Sequence, residues 1–535
     1  YFLGKRTDLT RAVSCQKCLR TGDLEKVGKT PSHHSFFEML GNFSFGDYFK
    51  REAIQWAWEF LTGTLDFAGT TRSTTPELCL DLPASKLWVS IYEEDEEAFT
   101  LWRKLGVPQE RIRRFGQADN FWPANAPTEG PNGPCGPCSE IYFDAEGKVE
   151  GPKSVEVWNL VFTQYDRQPD GSLKPLPNPN IDTGMGLERL ARVIQGVETD
   201  YETDLFKSII DYFLKDMRRS VAKSSPYEMA LVRTIADHVR AVTFLIAEGV
   251  SPSNKKHGYV LQTLIRRAYR CGLRAGVDFD RFNSERSFLG SLAGQVIATM
   301  ANSPYEQQDH LSEKEGQTVE IIEAEELQFS ETLQSGTDRA MDLIGRLKSR
   351  GQTVMIGEEA FKLYDTYGLP LEITVDIARE QGISVDRHGF DAALKAQQER
   401  SRAASQFGGE VFVPTTLTLK DVAKSDFVGY DALQTDTTIK GIWKAGQWVQ
   451  KAAQGEEVGL VLDRSPFYGE AGGQVGDQGA IESPRGAAEV VETTWVDELL
   501  VHHAKVPQGT VAVGAPVRAR VTAARRLQVA RSHPA

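Results

Sequence analysis

The stretch VEVWNLVFTQYDRQPDGSLKPLPNPNIDTGMGLERLARVIQG, residues 155–196, contains the pattern that decides the fold. Its first part, 155–167, is rich in Val, Trp, Phe and Tyr, which favour β-strands, and the segment PDGS that follows is typical of a turn. An extended segment with two glycines comes next, and Leu187, Leu190 and Ile194 then recur at helical spacing. The sequence therefore predicts a strand, a turn, an extended segment and a helix, with a functional site where the helix begins.

The composition indicates a globular protein, and the net charge argues against binding to nucleic acid of any sequence. A chain of 535 residues exceeds what one hydrophobic core usually holds, so we expect about three domains. Hydrophobic residues make up 40%, and no run of about 18 apolar residues predicts a membrane span. The net charge of −13 argues against sequence-independent binding of nucleic acid, which needs excess positive charge, but it allows a local basic face.

The chain changes character twice along its length. Residues 1–200 mix short strand-like runs with loops rich in Gly, Pro and Asn, and residues 201–405 show mainly helical periodicity. A small-residue stretch at 401–410 is a candidate linker, and residues 411–535 contain short β-like runs typical of a barrel or sandwich. One acidic stretch, 318–349, predicts a long helix whose buried face carries Ile322, Phe329, Leu333, Ile344 and Leu347.

The six cysteines are too few for a disulfide framework, which favours a reducing compartment. Four of them form two C-x-x-C pairs, Cys15 with Cys18 and Cys135 with Cys138. Such pairs can bind zinc, but about 116 residues separate them and the second lies in the Pro- and Gly-rich segment GPNGPCGPCSE. A rigid loop is the favoured interpretation of the second pair, and a zinc knuckle is the alternative.

The segment HHSFFEMLGNFSFGDYF, residues 33–49, raises a second question, because five phenylalanines alternate along a strand-like run. They can form a hydrophobic core or a platform for a flat ligand. Arg20 precedes this segment across a polar loop, and a guanidinium group binds phosphate or carboxylate through its planar fork. The face of Phe37 can stack on a purine. The alternative for Arg20 is an ordinary solvated charge.

The junction before the predicted helix contains a second set of candidate residues. Asp182 precedes the glycines, where it can reach an ammonium group or serve as a helix N-cap. Arg189 falls in the first turns of the helix, where the helix dipole favours anions rather than cations. A negative group is therefore expected beside Arg189, either Glu188 or the phosphate of a ligand.

These two regions resemble conserved motifs of class II aminoacyl-tRNA synthetases. Arg20 with its loop and FFEMLGNFSFGDYF resembles motif 2, and GMGLERL resembles motif 3. The ordered set of motifs is similar to the alanyl-tRNA synthetase family over nearly the whole chain, through DNFW, GPCGPCSEIYFD, VWNLVF, DTGMGLERL, IADHVRAVTFLIAEGVSPSN, GYVL, LIRRA, LYDTYG and DRSPFYGEAGGQVGDQG.

The resemblance implies an α+β chain with a mostly antiparallel class II catalytic sheet of the six-stranded type in 1–200. An all-helical tRNA-recognition domain in 201–405 and the incomplete β-barrel start of an editing domain in 411–535 would follow. The implied enzyme uses ATP and Mg²⁺ to form alanyl-adenylate and transfers alanine to the 3′ end of tRNA-Ala. The expected location is the cytoplasm, with an organelle left open, no membrane partner is expected, and the sequence does not predict the oligomeric state.

The resemblance also assigns roles to individual residues. Arg20 would hold the α-phosphate and the alanine carboxylate, Arg189 would hold the γ-phosphate, and Phe37, or its neighbour Phe36, would stack on adenine. Asp182 would face the α-amino group of alanine. The complete implied sets are Arg20, Phe37, Glu38 and Arg189 for ATP, with Arg20 and Arg189 as the catalytic residues, and Met39, Trp122, Asn159, Val161, Asp182 and Gly184 for alanine.

Further residues are implied for tRNA and for editing. Asn254 and Asp365 would flank the G3:U70 base pair of the tRNA acceptor stem, and Arg266 and Arg267 would add positive charge; the alternative for each cation is a solvated helix charge. A pocket that separates side chains by one methylene gains only about 1–3 kcal/mol, so serine and glycine require a hydrolytic site. His533 would be the first ligand of the zinc ion in that site. The other ligands and motif 1 are expected outside this sequence, and zinc is therefore expected only in the full-length protein.

Two alternative functions remain at this level. One is a non-catalytic tRNA-binding relative, and the other is a class II ligase for another small amino acid. The presence of Arg20, Asp182 and Arg189 together argues against the first, because a binding module does not need them.

Overall fold

The computed structural model describes residues 1–4, 6–217, 225–253, 256–277, 287–405, 425–430, 432–444, 447–470, 475–496 and 499–531. Two compact units can be distinguished, Tyr1–Glu331 and Thr332–Pro534. The three-domain boundaries inferred from the sequence stay a prediction. Among the described residues, every helix is either too short or too polar to cross a membrane.

The first unit contains eight strands and the first helices of the chain. The strands are β1 (Arg11–Leu19), β2 (Phe36–Phe45), β3 (Leu87–Tyr92), β4 (Ile112–Phe115), β5 (Phe121–Trp122), β6 (Gly133–Asp144), β7 (Ser154–Arg167) and β8 (Leu173–Gly186). The helices are α1 (Lys50–Thr62), α2 (Glu96–Lys104), α3 (Leu187–Gln195), α4 (Asp204–Tyr212), α5 (Pro226–Ala247), α6 (Lys256–Arg274), α7 (Phe288–Met300), α8 (Pro304–Asp309) and α9 (Glu315–Ser349), which continues into the second unit. Short 3₁₀ turns occupy Pro76–Leu78, Ala84–Lys86, Gln109–Arg111 and Asp200–Glu202, and a π-helical turn occupies Phe213–Met217.

The strands form one sheet in the order β1-β2-β8-β7-β6-β3-β4, with β5 paired to β6. All pairs are antiparallel except β3 with β4. The expected mostly antiparallel sheet is confirmed, and with eight strands it is larger than the predicted six. Helices α1 and α2 contribute the fully buried Trp58 and Trp102, which belong to one core cluster with Val89, Ile141 and Leu160 of the sheet.

The strand, turn, extended segment and helix predicted for residues 155–196 are confirmed, and the extended segment forms part of β8. Strand β7 pairs with β8, and α3 begins directly after Gly186. Within α3, Leu190 and Val193 are buried, whereas Ile194 is 53% exposed. Asp182 lies inside β8 rather than at a helix N-cap, because Gly186 occupies the cap position.

The helical part of the chain also agrees with the sequence patterns. Helix α5 is buried over most of its 22 residues, and Ser225 caps it by accepting a hydrogen bond from the backbone N–H of Glu228. Helix α9 buries all five apolar residues predicted for its face. The long acidic helix of the sequence analysis is therefore confirmed.

The second unit contains short helices and a barrel. Its remaining helices are α10 (Gly357–Asp365), α11 (Leu371–Glu380), α12 (Arg387–Ser405) and α13 (Ala523–Arg531). Its strands are β9 (Val354–Met355), β10 (Ser384–Val385), β11 (Asp426–Phe427), β12 (Gln434–Lys444), β13 (Gln447–Val449), β14 (Lys451–Ala453), β15 (Glu457–Leu462), β16 (Arg464–Ser465), β17 (Gly479–Ser483), β18 (Gly486–Val496), β19 (Leu499–Ala512) and β20 (Pro516–Val521).

The barrel of the second unit is closed. Strands β12, β15, β19, β18, β17 and β20 pair in that order, and β12 also pairs with β20. The prediction of an incomplete barrel was therefore wrong, because the six strands leave no open edge between β12 and β20. The predicted linker at 401–410 lies partly in α12, and its last five residues are outside the described residues.

The second C-x-x-C pair lies in a strand rather than in a rigid loop. Cys135 and Cys138 are both part of β6, where the pairing with β7 is irregular between them. Within the described ranges, no group of three or more His, Cys, Asp or Glu side chains could hold a metal ion. The zinc-knuckle alternative therefore finds no support in this part of the chain.

Gly136, between these cysteines, is required by a close approach of two strands. It pairs with Trp122 of β5, and a Cβ atom at this position would lie 1.9 Å from the carbonyl oxygen of Phe162. Replacing Gly136 with alanine is therefore expected to lower the free energy of unfolding by at least about 2 kcal/mol. Chemical denaturation would measure the change. As a control, Gly316→Ala should change it by less than about 1 kcal/mol, since nothing lies within 4 Å of the added Cβ atom.

Candidate active site

A cavity of about 430 Å³ lies in the first unit, over the strands of the sheet. Strands β2, β7 and β8 contribute to its wall, together with the segment after β1, β5 and the start of α3. Most of the residues predicted for ATP and alanine line this single cavity: Arg20, Phe37, Met39, Trp122, Asn159, Val161, Asp182, Gly184 and Arg189.

Alternation along β2 explains which aromatic side chains reach the cavity. Phe37 and Met39 line it, whereas Phe36 is buried and stacks on Phe244 with ring centroids 4.7 Å apart. Glu38 does not line the cavity, because its buried carboxylate accepts hydrogen bonds from Tyr305 Oη at 2.6 Å and from an arginine of α5, and its role toward ATP stays a prediction. Phe36 and Glu38 therefore belong to the interior, since successive strand side chains point to opposite faces.

Arg20 stands at the mouth of the cavity beside Phe37. Its guanidinium carbon lies 5.4 Å from the centroid of the Phe37 ring, and its backbone N–H donates to the carbonyl of Ser35 at 2.8 Å. Its side chain is exposed and has no ion pair with any residue that the structure describes. The guanidinium group is thus held over an aromatic ring with its donors available for an anion.

Asp182 carries a half-buried carboxylate, and none of the described residues supplies a compensating cation. It pairs with Val161 across β7 and β8, and its side chain has no hydrogen-bond or ion-pair partner among the described residues. Burial raises the pKa of Asp182 to about 6. A carboxylate in such a place gains strongly from an ammonium ligand, because the ligand supplies the missing opposite charge.

The wall beside Asp182 leaves room for a small side chain only. Gly184 faces Asn159 across the same strand pair, and a Cβ atom on it would come within 2.8 Å of Met39 Sδ. Asn159 donates from Nδ2 to Glu140 Oε1 at 3.1 Å, whereas its Oδ1 is buried without a partner. Trp122 is 47% exposed at the rim. The arrangement can exclude larger side chains sterically.

Arg189 forms an ion pair with Glu156 and not with Glu188. Arg189 Nη1 donates to Glu156 Oε2 at 2.7 Å, and both side chains remain about 30% exposed. Burial lowers the pKa of Arg189, but the charge and the hydrogen bond of Glu156, together with the charges of Asp200 and Tyr142, raise the pKa overall. Glu188 is buried and bonds elsewhere. The expectation of a nearby anion was confirmed, and the residue named for it was wrong.

Sequence reasoning gave no role to several acidic residues that line the cavity, among them Glu140 and Glu156. Glu140 is buried and accepts hydrogen bonds from Tyr142 Oη at 2.5 Å and from Ser90 Oγ at 3.2 Å. Burial and the charge of Glu156 raise the pKa of Glu140 to about 7. In the sequence, Glu140 and Glu156 are single acidic residues within two β-like runs. Such a pattern is equally typical of an exposed strand face, so it does not identify a functional site.

Of the residues predicted for tRNA, Arg266 and Arg267 belong to the first unit and do not line the cavity. Arg266 Nε donates to Glu325 at 2.7 Å, and Arg267 Nη2 donates to the carbonyl of Leu24 at 2.8 Å. Asp365 is exposed at the end of α10 in the second unit. Asn254 and His533 fall outside the described residues. Their predicted roles stay predictions.

Comparisons with known proteins agree with this geometry. The sequence model of the family described as tRNA synthetases class II (A) matches residues 1–525. The alanine–tRNA ligase of a Thermus thermophilus strain is 44% identical over 567 residues, and that of Desulforudis audaxviator is 43% identical over 551. The alanine–tRNA ligase of Idiomarina loihiensis is 41% identical over 552 residues. Each alignment covers the whole of this chain, which spans about 60% of the length of these relatives.

Proposed function

The chain belongs to the class II tRNA synthetase family (A), and from this premise we propose that it is the activating part of an alanine–tRNA ligase. The observation that carries the proposal is the convergence of Arg20, Asp182 and Arg189 on one cavity, although up to 169 positions separate them along the chain. The Asp182 carboxylate, which has no partner among the described residues, would pair with the ammonium group of alanine. The guanidinium groups of Arg20 and Arg189 would pair with the alanine carboxylate and the phosphates of ATP.

The first step joins alanine to AMP. In this step an oxygen of the alanine carboxylate attacks the α-phosphorus of ATP, and the bond to pyrophosphate breaks. Asp182 would hold the ammonium group, Arg20 would bind the attacking carboxylate and the α-phosphate, and Phe37 would stack on adenine. Arg189 would neutralise the γ-phosphate. Such chemistry depends mainly on positioning and on charge stabilisation, which these groups supply.

Mg²⁺ fits the acidic side of the cavity. The charge of Glu156 helps to raise the pKa of buried Glu140, so a divalent cation would relieve the repulsion between the two carboxylates. When bound, Mg²⁺ would neutralise phosphate charge. In the second step the 3′ hydroxyl of tRNA would attack the alanyl carbonyl and release AMP.

The remaining parts of the proposal concern tRNA and editing. Asn254, Asp365, Arg266 and Arg267 would contact the acceptor stem of tRNA-Ala. The closed barrel would begin an editing domain, with His533 as one zinc ligand in the complete protein. The proposed location is the cytoplasm. These assignments rest on the family resemblance rather than on contacts within the two units.

Amino-acid-dependent exchange of pyrophosphate into ATP tests the function. The complete protein is expected to exchange strongly with alanine and weakly with serine or glycine. Stronger exchange with serine or glycine would favour a ligase for another small amino acid. Absence of exchange together with tRNA binding would favour a non-catalytic relative. Both results would contradict the proposal.

The raised pKa of Asp182 predicts a pH dependence of alanine binding. The ionised carboxylate binds the ammonium group, so the dissociation constant for alanine should rise about tenfold per pH unit below about 6 and level off above it. Calorimetry between about pH 5 and pH 8 would measure it. The affinity for ATP, measured in parallel, should lack this dependence on Asp182. A constant alanine affinity over the whole range would contradict the assignment.

A further inference from the structure

Helix α5 inserts one arginine between two elements of the active site. Arg240 is fully buried, and its Nη2 donates to Glu38 Oε1 at 2.6 Å while its Nη1 donates to Glu188 Oε1 at 2.7 Å. Nη1 also approaches the carbonyl of Phe36 at 3.4 Å. The Arg240 side chain therefore connects α5 with both β2 and α3.

Both glutamates adjoin cavity residues, and Glu188 itself lines the cavity. Glu38 stands between Phe37 and Met39 on β2, and Glu188 immediately precedes Arg189 on α3. The Glu188 carboxylate also accepts the backbone N–H of Glu38 at 3.1 Å. Any displacement of these carboxylates would thus move the backbone that carries the ring of Phe37 and the guanidinium group of Arg189.

The surroundings leave the Arg240 guanidinium little freedom. It lies against the rings of Phe36 and Phe206, with its central carbon 4.9 and 5.3 Å from their centroids. Tyr305 Oη donates to the second oxygen of Glu38 at 2.6 Å, which fixes that carboxylate from another side. Without Arg240, the buried carboxylates of Glu38 and Glu188 would lose the cation that both of them bond to. Burial and the charge of Glu188 raise the pKa of Glu38 even with Arg240 present.

The alanine side of the cavity is built differently. Of the residues proposed for alanine, Met39 lies on β2 beside Glu38. Asp182, Gly184 and Asn159 are held by the pairing of β7 with β8, which Arg240 does not contact in the described structure. Loss of Arg240 should therefore disturb the two ends of the cavity unequally.

We propose that Arg240 is a positioning residue that sets the ATP side of the active site through Glu38 and Glu188. The inference rests on the proposed function, because it assigns Phe37 and Arg189 to ATP. It implies that α5, outside the sheet, takes part in ATP activation without touching a substrate. A purely structural arginine would instead affect the amount of folded enzyme.

The test compares Arg240→Gln, Arg240→Lys and the wild-type complete protein in alanine-dependent pyrophosphate exchange. We expect Arg240→Gln to raise the KM for ATP at least about tenfold and to leave the KM for alanine within about threefold. Arg240→Lys keeps the charge and should recover part of the loss. Thr243→Val is the control, since Thr243 is buried about one turn further along α5 and, within the described part of the chain, donates a hydrogen bond only to the carbonyl of Val239 in its own helix. It should leave both KM values unchanged.

Three results would overturn the role of Arg240: an unchanged KM for ATP, an equal rise of both KM values, or a fall in kcat alone. If Arg240→Gln does not fold, Glu188→Gln replaces it, because the amide keeps the volume and one acceptor but removes the charge. The same selective rise in the KM for ATP is then expected, and its absence counts against the proposal. Absence of exchange by the wild type would contradict the proposed function itself and would be seen before any variant is measured.

Discussion

Asp182→Asn is expected to raise the KM for alanine at least about 100-fold while the KM for ATP stays within about threefold. The asparagine keeps the shape of the side chain but removes the charge that would pair with the ammonium group. The carboxylate has no other described partner, so no neighbouring group can replace it. Pyrophosphate exchange with each substrate varied in turn would measure both constants.

The same substitution should stabilise the free protein. Because burial raises the pKa of Asp182 to about 6, the ionised form opposes folding at neutral pH. Asp182→Asn should therefore raise the free energy of unfolding by about 1–3 kcal/mol above about pH 6, and this gain should vanish below about pH 4.

Asp170→Asn is the matched control, because Asp170 is exposed in the turn between β7 and β8 and, among the described residues, accepts hydrogen bonds from Ser172 only. It should leave both KM values unchanged. Equal losses of alanine and ATP affinity in Asp182→Asn would contradict the role given to its carboxylate.

Arg189→Ala is expected to lower kcat/KM for ATP by about three orders of magnitude, or about 4 kcal/mol. The substitution removes the cation proposed for the γ-phosphate, and it also leaves the Glu156 carboxylate without its partner at 2.7 Å. An unpaired carboxylate would then repel the phosphates that Arg189 was meant to attract. Steady-state exchange at saturating alanine would measure the loss.

Arg114→Ala provides the control for Arg189→Ala. Arg114 also forms an ion pair with a glutamate, Glu96, at 2.7 Å and is similarly exposed, but it does not line the cavity. Its loss should change kcat/KM by less than about twofold, as is typical of surface ion pairs. A loss for Arg189→Ala no larger than that for Arg114→Ala would exclude a role of Arg189 in ATP activation.

Local sequence patterns predicted much of the fold because they depend on neighbours along the chain. The β-branched and aromatic run at 155–167 forms β7, and the spaced apolar residues after the paired glycines form α3. The exposed Ile194 shows the limit of such patterns: helical spacing predicts a helix, but the partner that packs against the helix decides which of its residues are buried.

The sequence by itself determined the chemical groups of the site, since the motifs carry Arg20, Asp182 and Arg189 whatever their surroundings. Only the tertiary structure decided which groups pair: Glu156 with Arg189, and Glu38 and Glu188 with Arg240 across as many as 202 positions. It also decided that the barrel closes, through the pairing of β12 with β20. The physical reason is that strand register and helix packing bring distant residues together, and no local spacing reports such contacts.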